Sequence, residues 1–172
     1  MFFLKLLNIM SIKDGILIEI ENETQNTKRV LNNLSNEHWN YKPHEKSMTL
    51  GELASHIVDL HNWVHLAASK DIFNFHTDYQ PRKAVSIEEL QTELEENLQK
   101  NKDFVNSQTD EFWLTNWRLQ AGEHLIAEMP KLGAFRFIIT NHLIHHRGQL
   151  TVYMRMLNIP LPGIYGPSAD EK

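Results

Sequence analysis

The chain of 172 residues contains no cysteine. Disulfides, thiolate-bound metals and a cysteine nucleophile are therefore excluded, and any thiol chemistry needs a thiol brought in as substrate. An apolar run approaching the ~20 residues that cross a bilayer is also missing, so no membrane partner is expected. Basic charge is scarce: 17 Lys and Arg stand against 22 Asp and Glu, a net charge of −5. Phosphate backbones call for a basic surface, which argues against nucleic acid as the main partner. There is no repeat with a period of ~20–50 residues and no low-complexity segment. The N-terminal stretch from Met1 to Met10 is apolar but short, with neither a leading basic region nor a small-residue cleavage site. Residues 1–10 read as an extension ahead of one domain over residues 11–172, and a cytoplasmic location is expected.

What remains is an ordinary globular composition with many histidines. Hydrophobic residues make up 41% and charged residues 23%, enough for one sizeable core. Ser11 with Asp14, Thr49 with Glu52 and Ser86 with Glu89 each place a capping side chain three residues ahead of an acid, a helix-start signature. Helical spacing follows each one. Ile12, Ile16, Ile20, Val30, Leu31 and Leu34 run to about residue 34. Leu53, Ile57, Leu60 and Val64 run to about residue 70. Ile87, Leu90, Leu94, Leu98 and Val105 form the third stripe. Residues 37–46 read as a connection and 71–85 as a loop. Residues 107–129 are irregular, with room for a short helical turn and a small strand-like excursion. Pro130 suits the first turn of a last helix carried to about Leu157, where Asn158, Pro160 and Pro162 stop it. Four long amphipathic helices with long connections predict an all-α four-helix bundle.

The last helix carries Asn141-His142-Leu143-Ile144-His145-His146-Arg147-Gly148-Gln149. His142 and His146 are four apart, hence neighbours on one helix face, and both can reach one metal ion. At ~100° per residue they fall, with Gln149, in the middle of a stripe of Phe135, Ile138, Ile139, Tyr153, Met156 and Leu157. Buried polar groups there need a partner, and a metal would serve. A catalytic zinc usually takes three protein ligands and a water. The second helix offers His56, His61 and His65. His65 lies ~120° from the stripe centre and reads as solvated, while His56 and His61 each lie ~60–80° from it, so periodicity leaves the third ligand open.

Three strings taken together, 47–57 (SMTLGELASHI), 141–150 (NHLIHHRGQL) and 162–166 (PGIYG), resemble the DinB-like family of DNA-damage-inducible metal-binding bundles, over roughly residues 11–168. The resemblance implies that one histidine early in the second helix and two in the last hold the metal, here His56, His142 and His146. His61 and His65 then read as solvated or interface residues. Imidazole ligation suits a divalent zinc or nickel ion, with iron possible. Some relatives transfer low-molecular-weight thiols such as bacillithiol, mycothiol or glutathione; others are thiol-dependent isomerases. The expected function is a metal-dependent thiol transferase acting on a small-molecule thiol and an electrophile, with a metal-dependent hydrolase or a non-catalytic metal-binding stress protein as alternatives. No helical HExxH supplies the base that hydrolysis wants, and no catalytic residue is assigned. Asp59, one turn from His56, and His145, Gln149 and Tyr153 are pocket or supporting candidates. Arg147 and Arg155 read as partners of surface carboxylates or helix ends, and the four tryptophans as structural. The family also implies a homodimer.

Overall fold

The computed structural model describes residues 10–171; apart from Met10, the expected N-terminal extension lies outside them. Helix α1 (Ile12–Asn32) begins where the chain can satisfy its own free amides. Ser11 Oγ accepts from Asp14 N–H at 3.2 Å, and Ser11 N–H donates back to the Asp14 carboxylate at 3.1 Å. Thr49 and Glu52 make the same reciprocal cap on α2 (Leu50–Ala68). On α3 (Ile87–Ser107) only half of it forms: Ser86 Oγ accepts from Glu89 N–H, while the Glu89 carboxylate serves Val85 N–H and Arg82. Each cap pairs donors that a helix start leaves free.

The expected all-α architecture needs a correction. The molecule is mostly helical, but it also holds a three-stranded sheet in the order β1-β2-β3. Strand β1 (Ile72–Asn74) lies in the stretch expected to be loop. The short α4 (Asp110–Leu114) and the hairpin β2 (Asn116–Ala121) and β3 (His124–Pro130) fill the stretch expected to be irregular. β1 runs parallel to β2, and β2 antiparallel to β3. β2 alternates as a half-buried strand should: Trp117 and Leu119 are buried, Asn116 and Arg118 exposed. The Trp117 indole N–H donates to Ala67 O at 3.0 Å. Lys131 is fully buried and donates to Ala68 O at 3.0 Å, so sheet and last helix are both tied to the end of α2.

The last helical run is continuous: α5 (Lys131–Gly133), a π-helical turn (Ala134–Thr140) and α6 (Asn141–Met156), with helical backbone angles at both joints. It ends at Asn158, whose φ of 58° is a left-handed conformation that asparagine tolerates. Ile159 N–H then donates back to Met154 O at 2.9 Å. The π turn corrects the expected stripe. On α6 the buried positions are Leu143, Arg147, Leu150, Tyr153 and Met154; Tyr153 is in the core as expected, while Leu143, Arg147 and Leu150 each lie one residue beyond His142, His146 and Gln149. One residue is ~100° of rotation, so the histidines sit on the flank of the core, and Met156 is exposed. The π turn accommodates an extra residue, which delays by about one position the phase counted from Phe135 and Ile139.

Helix α2 is central, packed against α3 and α6, while α1 packs against α3. It is buried on nearly all faces. At Gly51 a Cβ would stand 2.2 Å from the Trp39 ring, so only glycine lets this indole lie on the first turn of α2. Two further expectations fail here. His61 is 3% exposed, not solvated, and its ring nitrogens face Thr27 Oγ1 (2.9 Å) and Thr24 Oγ1 (3.4 Å) on α1. Arg147 is 1% exposed and pairs not with a surface carboxylate but with Glu23, also on α1. It donates to Glu23 O and to Thr27 Oγ1, and the Tyr165 hydroxyl donates to the same Glu23 carboxylate at 2.8 Å. A buried polar network thus pins α6 to α1 directly behind the histidine face. Among the described residues no helix is long and apolar enough to cross a membrane.

Candidate metal centre

α2 and α6 lie side by side, which brings His56 from the first to His142 and His146 from the second. His56 Nε2 stands 3.4 Å from His142 Nε2, and His146 Nε2 stands 2.8 Å from His142 Nε2. One nitrogen from each of the three lies within 4.8 Å of the others, and among the described residues no fourth histidine or carboxylate joins the cluster. Nitrogens held ~2.0–2.1 Å from one ion lie ~3.3 Å apart at tetrahedral angles and ~2.9 Å apart at right angles. The two separations to His142 match these spacings and the third pair lies within 4.8 Å, so the donor set fits one divalent ion and leaves part of its coordination sphere to other ligands.

The electrostatics prepare the rings for that role. Burial, helped by the His146 ring, pushes His56 down to about 4. Burial and the His146, His56 and His145 rings likewise push His142 down to about 4. Burial holds His146 below the usual imidazole value. Neutral imidazole is the form that binds a metal. His146 Nδ1 donates to Gln149 Oε1 at 2.7 Å, which leaves its Nε2 lone pair facing the other two rings, the orienting contact that metal-bound histidines commonly have. Gln149 Nε2 in turn donates to His145 Nε2 at 3.1 Å. His145 therefore reaches the cluster only through Gln149 and by ring contact with His146.

Two cavities border the cluster. One of about 680 Å³ is lined by His56, Trp39, Met48, Asp59, Phe75 and Tyr79, among others; one of about 400 Å³ is lined by His146, Gln149, Val152 and Tyr153. Lys46, Ser47 and Met48 line both, so this short segment separates them. It is held in place: the Tyr153 hydroxyl donates to Met48 O at 3.2 Å, and the next residue, Thr49, caps α2. Asp59 is buried in the wall of the larger cavity, where one carboxylate oxygen accepts from the Tyr79 hydroxyl (2.9 Å) and from Arg82 N–H (3.0 Å). Burial still raises its pKa. Sequence reasoning missed Trp39, the 46–48 segment, Tyr79 and Lys83, all in connections without periodicity. The only sequence signal there was the place of Ser47 and Met48 in the family-like string before α2.

A model of the DinB family matches residues 10–172. Among curated proteins, the chain is 29% identical over 162 residues to the uncharacterized protein YrdA of Bacillus subtilis, covering 92% of this chain and 90% of that one. A crystal structure of a DinB-like protein from Bacillus cereus is similar with a TM-score of 0.71 and 25% identity, over 91% of this chain and 99% of that chain. A second DinB-like structure, from Bacillus subtilis, shares the fold with a TM-score of 0.66 at 20% identity, over 90% and 99% of the two chains.

Proposed function

The chain belongs to the DinB family, and from that premise we propose that it is a metal-dependent transferase that joins a low-molecular-weight thiol to an electrophile. The observation that carries this reading is the open cluster of three neutral imidazoles between two separate cavities. A transferase must admit two reactants, and the chain has no thiol of its own. A divalent ion bound there, zinc or nickel first and iron next, would supply a positive centre able to acidify a thiol.

The chain's own residues do the rest. His56, His142 and His146 would hold the ion with neutral nitrogens, and Gln149 fixes the tautomer of His146. Apolar walls of the larger cavity exclude water from the electrophile. In the net reaction one S–C bond forms, the bond from that carbon to its leaving group breaks, the leaving group departs with the electron pair, and the thiol proton goes to solvent. Hydrolysis is the weaker reading, because Asp59, the carboxylate one turn from His56, is committed to Tyr79 and Arg82. A purely structural metal is also weaker, since such sites are usually closed by four protein ligands.

The test uses tag-free protein loaded with zinc or nickel. It is mixed with monochlorobimane and, in turn, bacillithiol, mycothiol and glutathione, and formation of the fluorescent conjugate is followed. Metal-dependent turnover with at least one thiol is expected. Turnover of ester or amide substrates that needs no thiol would replace this reading with hydrolysis.

A further inference from the structure

The larger cavity is rich in charged residues, but nearly all of that charge is already spent. The Glu52 carboxylate accepts from Thr49 N–H at 2.7 Å as half of the α2 cap. Asp59 is held by Tyr79 and the Arg82 amide. The Arg82 guanidinium pairs with both Glu89 and Glu93. Two cations are left over. Lys46 and Lys83 both line this cavity, both are exposed, and among the described residues neither ammonium has a carboxylate within ion-pair distance.

The walls have the opposite character. Phe75 and Tyr79 pack edge to face at 5.1 Å, and both pack on Trp63 behind them, at 5.3 and 5.2 Å. Trp39, Met48 and Pro81 continue the apolar lining. Such stacked rings form a stiff surface suited to the face or edge of another ring. The volume of about 680 Å³ lies within the ~300–1,000 Å³ typical of small-molecule sites. One end is bordered by His56.

We propose that the larger cavity binds an aromatic acceptor carrying an anionic group, its ring against Phe75, Tyr79 and Trp39, its charge at Lys46 and Lys83, and its reactive end at His56. The 46–48 segment then keeps it apart from the second reactant, which enters the smaller cavity beside His146. This assignment rests on the transferase reading, and it names the class of acceptor. The smaller cavity suits a polar partner: Ser47, Gln149, His146 and Tyr153 line it, together with the shared Lys46 and with fewer apolar side chains, whereas Lys83 lines only the larger cavity of the two.

The test measures binding of two probes to the full chain loaded with zinc: 8-anilinonaphthalene-1-sulfonate and its uncharged analogue N-phenyl-1-naphthylamine. One molecule of each per chain is expected, with the sulfonate bound more tightly. Lys83→Glu combined with Lys46→Glu should weaken the sulfonate by about tenfold or more, as two exposed ion pairs allow, and leave the neutral probe unchanged. Val152→Trp, which narrows only the smaller cavity, should leave both unchanged. All these positions are exposed, and circular dichroism checks that the variants fold. Equal loss of both probes, no loss of the sulfonate, or displacement by Val152→Trp would overturn the assignment. Binding as expected without any thiol-dependent turnover would remove the transferase reading and leave the anionic aromatic site standing. Thiol-dependent turnover with a sulfonate affinity indifferent to both lysines would do the reverse.

Discussion

Arg147 offers the sharpest test of how the histidine face is held. Its guanidinium is buried with the Glu23 carboxylate, 1% and 9% exposed, and also donates to Glu23 O and Thr27 Oγ1. Replacing it by Met keeps most of the packing volume but strands Glu23 with one remaining donor, the Tyr165 hydroxyl. Breaking a buried pair from one side costs about 3–5 kcal/mol. In a chain of this length 1 kcal/mol moves Tm by ~2–4 °C, so Arg147→Met should lower it by roughly 6–20 °C. The measurement is thermal and urea unfolding of metal-free protein by circular dichroism near pH 7.5, so that metal linkage does not contribute. Adding Glu23→Gln removes the stranded charge and should recover about half of the loss or more. A fall below about 2 °C, or a double variant less stable than Arg147→Met, would show that the pair does not anchor α6 to α1.

Three other outcomes follow from the same geometry. Gly148 lies exposed inside α6, and a Cβ there would meet nothing within 4 Å; Gly148→Ala should therefore stabilise the protein by about 0.5–1 kcal/mol in urea unfolding. His61 is buried neutral, its pKa pushed by burial and by Arg147 to about 3. Above pH 6.5 both folded and unfolded chains carry it neutral; below that only the unfolded chain takes the proton, so stability is lost as pH falls from 6.5 toward 3, by up to ~1.4 kcal/mol per unit. His61→Gln should show a shallower loss between pH 6.5 and 5 than the parent. Protons compete with the metal for all three rings; His56 and His142 are held at about 4 and His146 below its usual value, so zinc affinity measured by competition with a chelator should fall less between pH 8 and 6 than three ordinary imidazoles would give. A tenfold loss per unit for each ligand already below pH 6.5 would mean ordinary exposed imidazoles.

Much of this architecture could be read from residue order, and the failures have particular causes. The starts of α1, α2 and α3 were legible because Ser11, Thr49 and Ser86 cap amides that water would otherwise have to serve. The sheet was legible only as a small strand-like excursion within 107–129: β1 is three residues long, and β2 gains its place from Trp117 reaching Ala67 across the fold, a contact no local pattern announces. The phase of α6 was misread because counting from Phe135 assumes an unbroken α-helix, and the π turn delays every later side chain. The pairing of His142 with His146 survived that error, since four-residue spacing within α6 is unaffected by what precedes it. On α2 periodicity could not separate His56 from His61, because a central helix buried on nearly all sides has no single core stripe; the family-like string was needed. His61 and Arg147 looked like surface residues because their partners, Thr24, Thr27 and Glu23, lie more than 30 residues away on α1.

The central claim is that His56, His142 and His146 jointly hold one metal ion. It is tested most directly by zinc titration calorimetry and elemental analysis of tag-free protein beside its His56→Ala, His142→Ala and His146→Ala variants. One ion per chain is expected in the parent, and loss of stoichiometric binding in every variant, with helical content retained. Full occupancy in any one of the three would contradict the ligand set.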